Sequence, residues 1–150
     1  MNNPETLIDV NRLLAITAQL QTTRHAHHLD ALGLTVAQFS VLNHLARQKA
    51  PSPISRIANA VEVLQPAVTK MMRKFESSGW VNILPDPNDK RARLIEITPK
   101  GHGVIGDFYA IAAPDARACF DGWNEEDLIT FRNHLNRVVG WLDQNRLGKD

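Results

Sequence analysis

The chain is poor in sulfur, in long apolar runs and in net charge. Cys119 is the one cysteine among 150 residues, so no disulfide can form within the chain, and a reducing compartment, the cytoplasm, is expected. No apolar stretch approaches the length of a bilayer span, and Met1-Asn2-Asn3-Pro4-Glu5 lacks the features of a secretory leader. No glycine-rich phosphate loop, nucleophile elbow or common metal-ligand spacing occurs. Six histidines offer bases, but none has a nucleophile that the sequence pairs with it. No catalytic residue, metal ligand or cofactor is therefore assigned, and an enzyme is not expected. Repeats and low-complexity tracts are also missing. At 43% hydrophobic and 22% charged residues the composition is that of one ordinary globular domain with a real core.

A net charge of +1 excludes little, but its distribution is uneven. Residues 47–100 carry ten Lys or Arg against five Asp or Glu, whereas residues 1–46 balance to −1 and residues 101–150 to −3. A basic middle between mildly acidic ends points to a polyanion-binding lobe carried on helices of another kind.

That middle has a recognisable grammar. Ser55 to Val61 puts Ile57, Ala58 and Val61 on one side of a short helix. Gln65 to Ser78 repeats Val68, Met71, Met72 and Phe75 at spacings of three and four, one stripe for a core. Its other side carries Gln65, Thr69, Lys70, Arg73 and Lys74, side chains suited to base edges and phosphates. Pro66 fits a first helical turn and Gly79 a left-handed C-terminus. Such a pair can also be an ordinary solvated one. Two short apolar runs follow, Val81 to Leu84 and Leu94 to Ile97, around Pro85-Asp86-Pro87-Asn88-Asp89-Lys90-Arg91-Ala92-Arg93. Pro, Asn and Asp make turns, so this reads as an exposed hairpin with three cations near its tip, able to put an arginine into a narrow minor groove.

Asp89-Lys90-Arg91 followed by Leu94-Ile95-Glu96-Ile97-Thr98-Pro99-Lys100-Gly101 resembles the wing signature of the MarR family, and Ser55-Arg56-Ile57-Ala58 with Pro66-Ala67-Val68-Thr69 resembles its helix-turn-helix. The resemblance spans roughly residues 35–101. It implies a winged helix-turn-helix DNA-binding lobe and a helical dimerisation lobe. It also implies base contacts from Gln65, Ala67 and Thr69 with Pro66 beside them, and phosphate contacts from Lys70, Arg73, Lys74 and Ser55. Arg91 would enter the minor groove, oriented by Asp89 through a charge-assisted hydrogen bond, and Arg93 would follow the DNA backbone. Two positions depart from the family. Glu62 stands near the turn where many members have Gly, and Leu64 stands where many have Ser or Thr; Leu64 has no oxygen with which to cap a helix.

The flanks read as helices. Residues 4–32 contain no Gly, and no Pro after Pro4, and carry a wide apolar band from Leu7, Ile8, Leu14, Ile16, Leu20 and Leu29. Thr35-Val36-Ala37-Gln38 is a capping-box pattern for a helix ending near Gln48, and Ala50-Pro51-Ser52-Pro53 reads as a stiff linker. Thr98 and Pro99 open a helix that Pro114 should kink or break near Ala112 or Ala113. Asn124 caps the last helix, whose Leu128, Phe131, Leu135, Val138 and Leu142 form a coiled-coil-like seam. His25 and His28 share a helix face. A metal site there is conceivable, a solvated or pocket-lining face the plainer reading. Cys119 reads as a buried structural cysteine, with a thiol sensor as the alternative.

The expectation is a mainly α chain with a small β-wing, one domain over residues 1–150. Residues 35–100 form the DNA-binding lobe, and residues 4–32 and 101–146 the dimerisation lobe. Such a homodimeric repressor would bind a pseudo-palindromic operator and leave it on binding a small aromatic or phenolic effector. The resemblance places that effector between the dimer helices and the DNA lobe, and helix placement makes Arg24, His28, His44 and Arg47 candidate polar liners for an anion. A winged-helix module for protein contact and a redox- or metal-responsive regulator are the alternatives.

Overall fold

A computed structural model describes residues 3–147. Helix α1 (Pro4–Asp30) is followed by α2 (Val36–Ala46), a two-residue strand β1 (Ser52–Pro53), α3 (Ile54–Val61) and α4 (Gln65–Ser77). Strands β2 (Val81–Pro85) and β3 (Arg93–Ile97) come next, then α5 (Pro99–Cys119) and α6 (Glu125–Gln144). Packing divides the chain into two compact units, one ending at Ala113 and the other beginning at Pro114.

Helix ends follow side-chain chemistry. Asn3 accepts from the Glu5 N–H at 3.0 Å, with Pro4 in the first turn of α1. The helix stops at Gly33, whose φ of +65° is inexpensive only for a residue without Cβ. The Thr35 hydroxyl accepts from the Gln38 N–H at 3.1 Å while Gln38 accepts from the Thr35 N–H at 3.0 Å, a complete capping box. Asn124 accepts from the Asp127 N–H at 2.8 Å, with Glu125, Glu126 and Asp127 at the positive end of α6.

The first unit has one core. Phe39, Leu42 and Leu45 of α2, Ile57 of α3, and Val68, Met72 and Phe75 of α4 are buried together with Val81, Ile95, Ile105 and Phe108. The Phe39 and Phe108 rings lie 4.1 Å apart by centroid, and Phe108 also meets His25 of α1 edge-on at 5.2 Å. Helix α1 contributes little else: of 27 residues only Leu29 is buried. In the second unit, Phe120, Trp123 and Phe131 meet edge-on or tilted, with ring centroids 5.5 to 6.2 Å apart. No residue of α6 is buried.

The three strands are antiparallel in the order β1-β3-β2, with Ser52 opposite Ile95 and Val81 opposite Ile97. The expected linker therefore contains a strand. Pro53 and Pro85 both sit in the sheet because they lie on edge strands, where one side of the backbone has no neighbour to receive an N–H.

Two further expectations are corrected. Of the kink or break expected at Pro114, the break does not occur: helix α5 runs through it to Cys119. Pro114 and Ala110 are both exposed, so the carbonyl that loses its partner is on the solvent-facing side, where the loss costs least. Cys119 is exposed, not buried, because it lies on the solvent-facing last turn of α5 beside the exposed Arg117 and Ala118.

Candidate nucleic-acid interface

Helices α3 and α4 form the expected helix-turn-helix, and the turn is made without its usual residues. Glu62 closes α3 in the left-handed region at φ 56° and ψ 38°, the one non-glycine residue with positive φ among the described residues. A carboxylate residue in that conformation is strained by roughly 1 kcal/mol relative to Gly. Val63 then donates to the Ala58 carbonyl at 3.1 Å, and Leu64 begins α4 with no side-chain cap. As expected from the sequence, Pro66 lies in the first turn, and Gly79 ends the helix region at φ +74°.

The buried face of α4 is Val68, Met72 and Phe75; the opposite face presents Gln65, Pro66, Ala67, Lys70, Arg73 and Lys74 to solvent, with Thr69 half-buried between. The Thr69 hydroxyl donates to the Gln65 carbonyl at 3.0 Å, so it meets an outside group as an acceptor. Ser55 and Arg56 are exposed on the first turn of α3. Arg56 was not singled out from the sequence, where a single cation on a short helix carries no periodic signal. Lys90 and Arg91 are exposed at the tip of the wing.

The wing is shaped by its acids and braced by one of its bases. Asp86 accepts from the Asn88 N–H at 2.8 Å and Asp89 from the Arg91 N–H at 2.9 Å, two successive Asx turns. Asp89 thus fixes the Arg91 backbone and leaves the guanidinium to project, rather than pairing with it as the resemblance implied. The reason is reach: a carboxylate two residues upstream meets the backbone N–H with less chain ordering than a guanidinium three methylenes out. Arg93 is also reassigned. Its guanidinium donates to the Ala92 carbonyl at 3.1 Å and the Lys90 carbonyl at 3.4 Å, so it ties down the turn.

The wing is anchored at its base by the Thr98-Pro99-Lys100-Gly101 segment. The Thr98 N–H donates to the Trp80 carbonyl at 2.9 Å, and its hydroxyl donates to the Gly79 carbonyl at 2.7 Å and accepts from the Gly101 N–H at 3.1 Å. A Cβ on Gly101 would collide with the Trp80 carbonyl, so this glycine is required by a close approach of α5 to the corner after α4.

The residues expected to hold an effector come from two helices and the end of one of them. Arg24 and His28 stand one turn apart on α1, His44 is in the last turn of α2, and Arg47 is its exposed C-cap. A cavity of about 140 Å³ lies elsewhere, lined by Leu45, Gln48, Lys49, Ile95, Ile97 and His102 among others, and none of the four lines it. It is small against the ~300–1,000 Å³ typical of ligand pockets. His25 has its pKa lowered, first by burial and second by repulsion from His28. Among the described residues, no three His, Cys, Asp or Glu are grouped to hold a metal ion, and no helix is long and apolar enough to cross a membrane.

A helix-turn-helix with cations along the outer face of its second helix, followed by a hairpin with Lys and Arg at its tip, is a winged-helix DNA-binding lobe. Comparison with known proteins agrees. The MarR family model matches residues 34–92. The multiple antibiotic resistance protein MarR of Salmonella typhimurium is 30% identical over 98 residues, covering 65% of this chain and 67% of that protein. The crystal structure of wild-type apo MarR from E. coli superposes with a TM-score of 0.72 at 25% identity, over 86% of this chain and 95% of that one. A MarR mutant from E. coli complexed with operator DNA matches with a TM-score of 0.65 at 25% identity, over 93% and 99% of the two chains. The chain belongs to the MarR family of DNA-binding transcriptional regulators, whose members here are regulators and not enzymes.

Proposed function

We propose that this regulator is a homodimer that binds a pseudo-palindromic operator and represses from it in the cytoplasm. The observation that carries the DNA side is the pairing of one exposed cationic helix face, Lys70, Arg73 and Lys74, with an arginine projected from the wing. A two-fold dimer sets two copies of α4 about one turn of DNA apart, so the site must be read twice in opposite directions. In this reading Gln65, Pro66, Ala67 and Thr69 face the bases. Ser55, Lys70, Arg73 and Lys74 meet phosphates, Arg91 enters the minor groove, and Asp89 and Arg93 hold the wing in shape.

Support for the dimer comes from apolar side chains that the single chain leaves in solvent: Leu7, Ile8, Leu13 and Leu20 on α1, and Val139, Trp141 and Leu142 on α6. So much exposed apolar area marks an interface. Residues 35–100 would then serve DNA and the helical segments 4–32 and 101–146 a second copy. A small aromatic or phenolic effector, held near Arg24, His28, His44 and Arg47, would release the DNA by preferring one spacing of the two recognition helices over another.

The test is a gel-shift titration against the DNA flanking the gene, with random duplex as competitor and salt varied. Competitor-resistant binding at two chains per site is expected. Lys74→Ala should reduce the salt slope by about one unit per subunit without changing sequence preference. Binding that random DNA competes away equally would leave a winged helix used for protein contact.

A further inference from the structure

The winged-helix lobe hides its apolar side chains well, with one exception. Among residues 34–100, all of them described, Leu64 is the one large apolar side chain that is exposed, at 80% of its surface. The other exposed large apolar side chains lie before residue 21 or after residue 108, all but Trp123 and Leu147 on α1, α5 and α6, the helices proposed to pack in the dimer. Leu64 is also the N-cap of α4 and makes no side-chain cap bond. The position therefore gives up a helix cap and leaves an isobutyl group in water, with no return from within the chain.

Its surroundings say what kind of surface could provide that return. Leu64 adjoins the exposed Gln65, Pro66 and Ala67 at the leading end of the recognition helix, the part of such a helix that meets base edges. In the major groove the one apolar group that distinguishes bases is the thymine 5-methyl. The usual alternative, a phosphate held by the free amides of a helix start, is poorly served here. Pro66 has no N–H, and the Ala67 and Val68 amides both donate to the Leu64 carbonyl, at 3.0 and 3.1 Å. Two residues upstream, the exposed Glu62 adds negative charge to the same turn.

We propose that Leu64 reads sequence, its side chain packing on the 5-methyl group of one thymine in each operator half-site. This rests on the reading that α4 enters the major groove of an operator, and it adds a specificity-determining residue to that reading.

The test begins with an operator selected from random duplex DNA by the full-length chain. Each thymine of a half-site is then replaced, one at a time, by deoxyuridine, which removes only the methyl. Wild-type protein should lose about fourfold in affinity per substituted half-site at one thymine, the worth of about one methyl group removed from water. Leu64→Ala and Leu64→Ser should bind the all-thymine site more weakly and be indifferent to the methyl at that position, while responding normally at the others. Neither change opens the core, and serine supplies a cap, so thermal melts should show both variants folded. A deoxyuridine profile identical between wild type and variants would overturn the proposal, as would a flat wild-type profile. Selection that enriches no sequence would overturn operator reading itself, an outcome distinct from an enriched site whose methyl profile ignores Leu64.

Discussion

Helices α4 and α6 carry similar apolar stripes and come to opposite ends. Over 13 residues α4 buries Val68, Met72 and Phe75, and its partners come from the same compact unit. Over 20 residues α6 buries nothing, and Trp141 and Leu142 keep 64% and 56% of their surface in water. Helix α1 resembles α6, with Leu29 alone buried. A repeat of three and four establishes that a helix has an apolar side. It does not say whether that side is met within the chain. The DNA-binding lobe is covered within its own compact unit, with Leu29, Ile105 and Phe108 supplied by α1 and α5, and α1 and α6 keep apolar surface to spare.

That contrast can be broken by mutation. The largest effect is expected at Phe75, which is wholly buried. Phe75→Ala should cost about 3–5 kcal/mol of unfolding free energy, and denaturant melts should show the same loss at every protein concentration. In α6, Leu142→Asp should leave the helix content of the isolated chain intact, because the side chain is already exposed. Analytical ultracentrifugation should instead show dimer association weakened by about 2 kcal/mol or more, a roughly thirtyfold larger dissociation constant. A stable dimer in that variant would place the seam elsewhere. Next, Arg91→Ala should weaken operator binding by about 1–3 kcal/mol with no change in melting temperature. Unchanged affinity in a gel shift would remove the wing from the interface.

The smallest expected effect concerns His25, packed on Phe108. Its folded-state pKa lies below the ordinary value near 6.5 because burial, and then His28, disfavour the charged imidazole. The unfolded chain therefore takes up this proton first as pH falls. The stability is fully present above about pH 6.5 and is lost progressively as pH falls toward the folded-state pKa. His25→Gln should flatten the stability profile in that window, measured by melts between pH 5 and 8, and should leave the profile above it unchanged.

How much of this was legible in advance depends on the range of the interaction. The capping box at Thr35 and Gln38, the Asn124 cap and the glycine stops are contacts between residues within a few positions of one another, and each was readable from local pattern. The winged helix-turn-helix followed from several such patterns in order. The outward face of α4 was legible too, because a helix that buries Val68, Met72 and Phe75 must turn Lys70, Arg73 and Lys74 to solvent.

Elsewhere the chain was misread where the outcome hangs on what lies across from a residue. Pro51-Ser52-Pro53 looks like a linker until Ser52 is set opposite Ile95, more than forty positions away, at a sheet edge that accommodates proline. Asp89 and Arg91 look like an ion pair, and only the turn geometry shows the carboxylate on the backbone N–H. Cys119 reads as a buried structural cysteine, yet it faces solvent.

By itself, then, the sequence determined the helices, their caps, the wing and the basic outer face, because these depend on backbone hydrogen bonding and periodicity along one stretch of chain. Only the tertiary structure decided which apolar side chains are covered, which acid shapes the wing, and why Gly101 must be glycine beneath the Trp80 carbonyl. Those are matters of distance between residues far apart in the chain, and the close packing of a folded interior sets them.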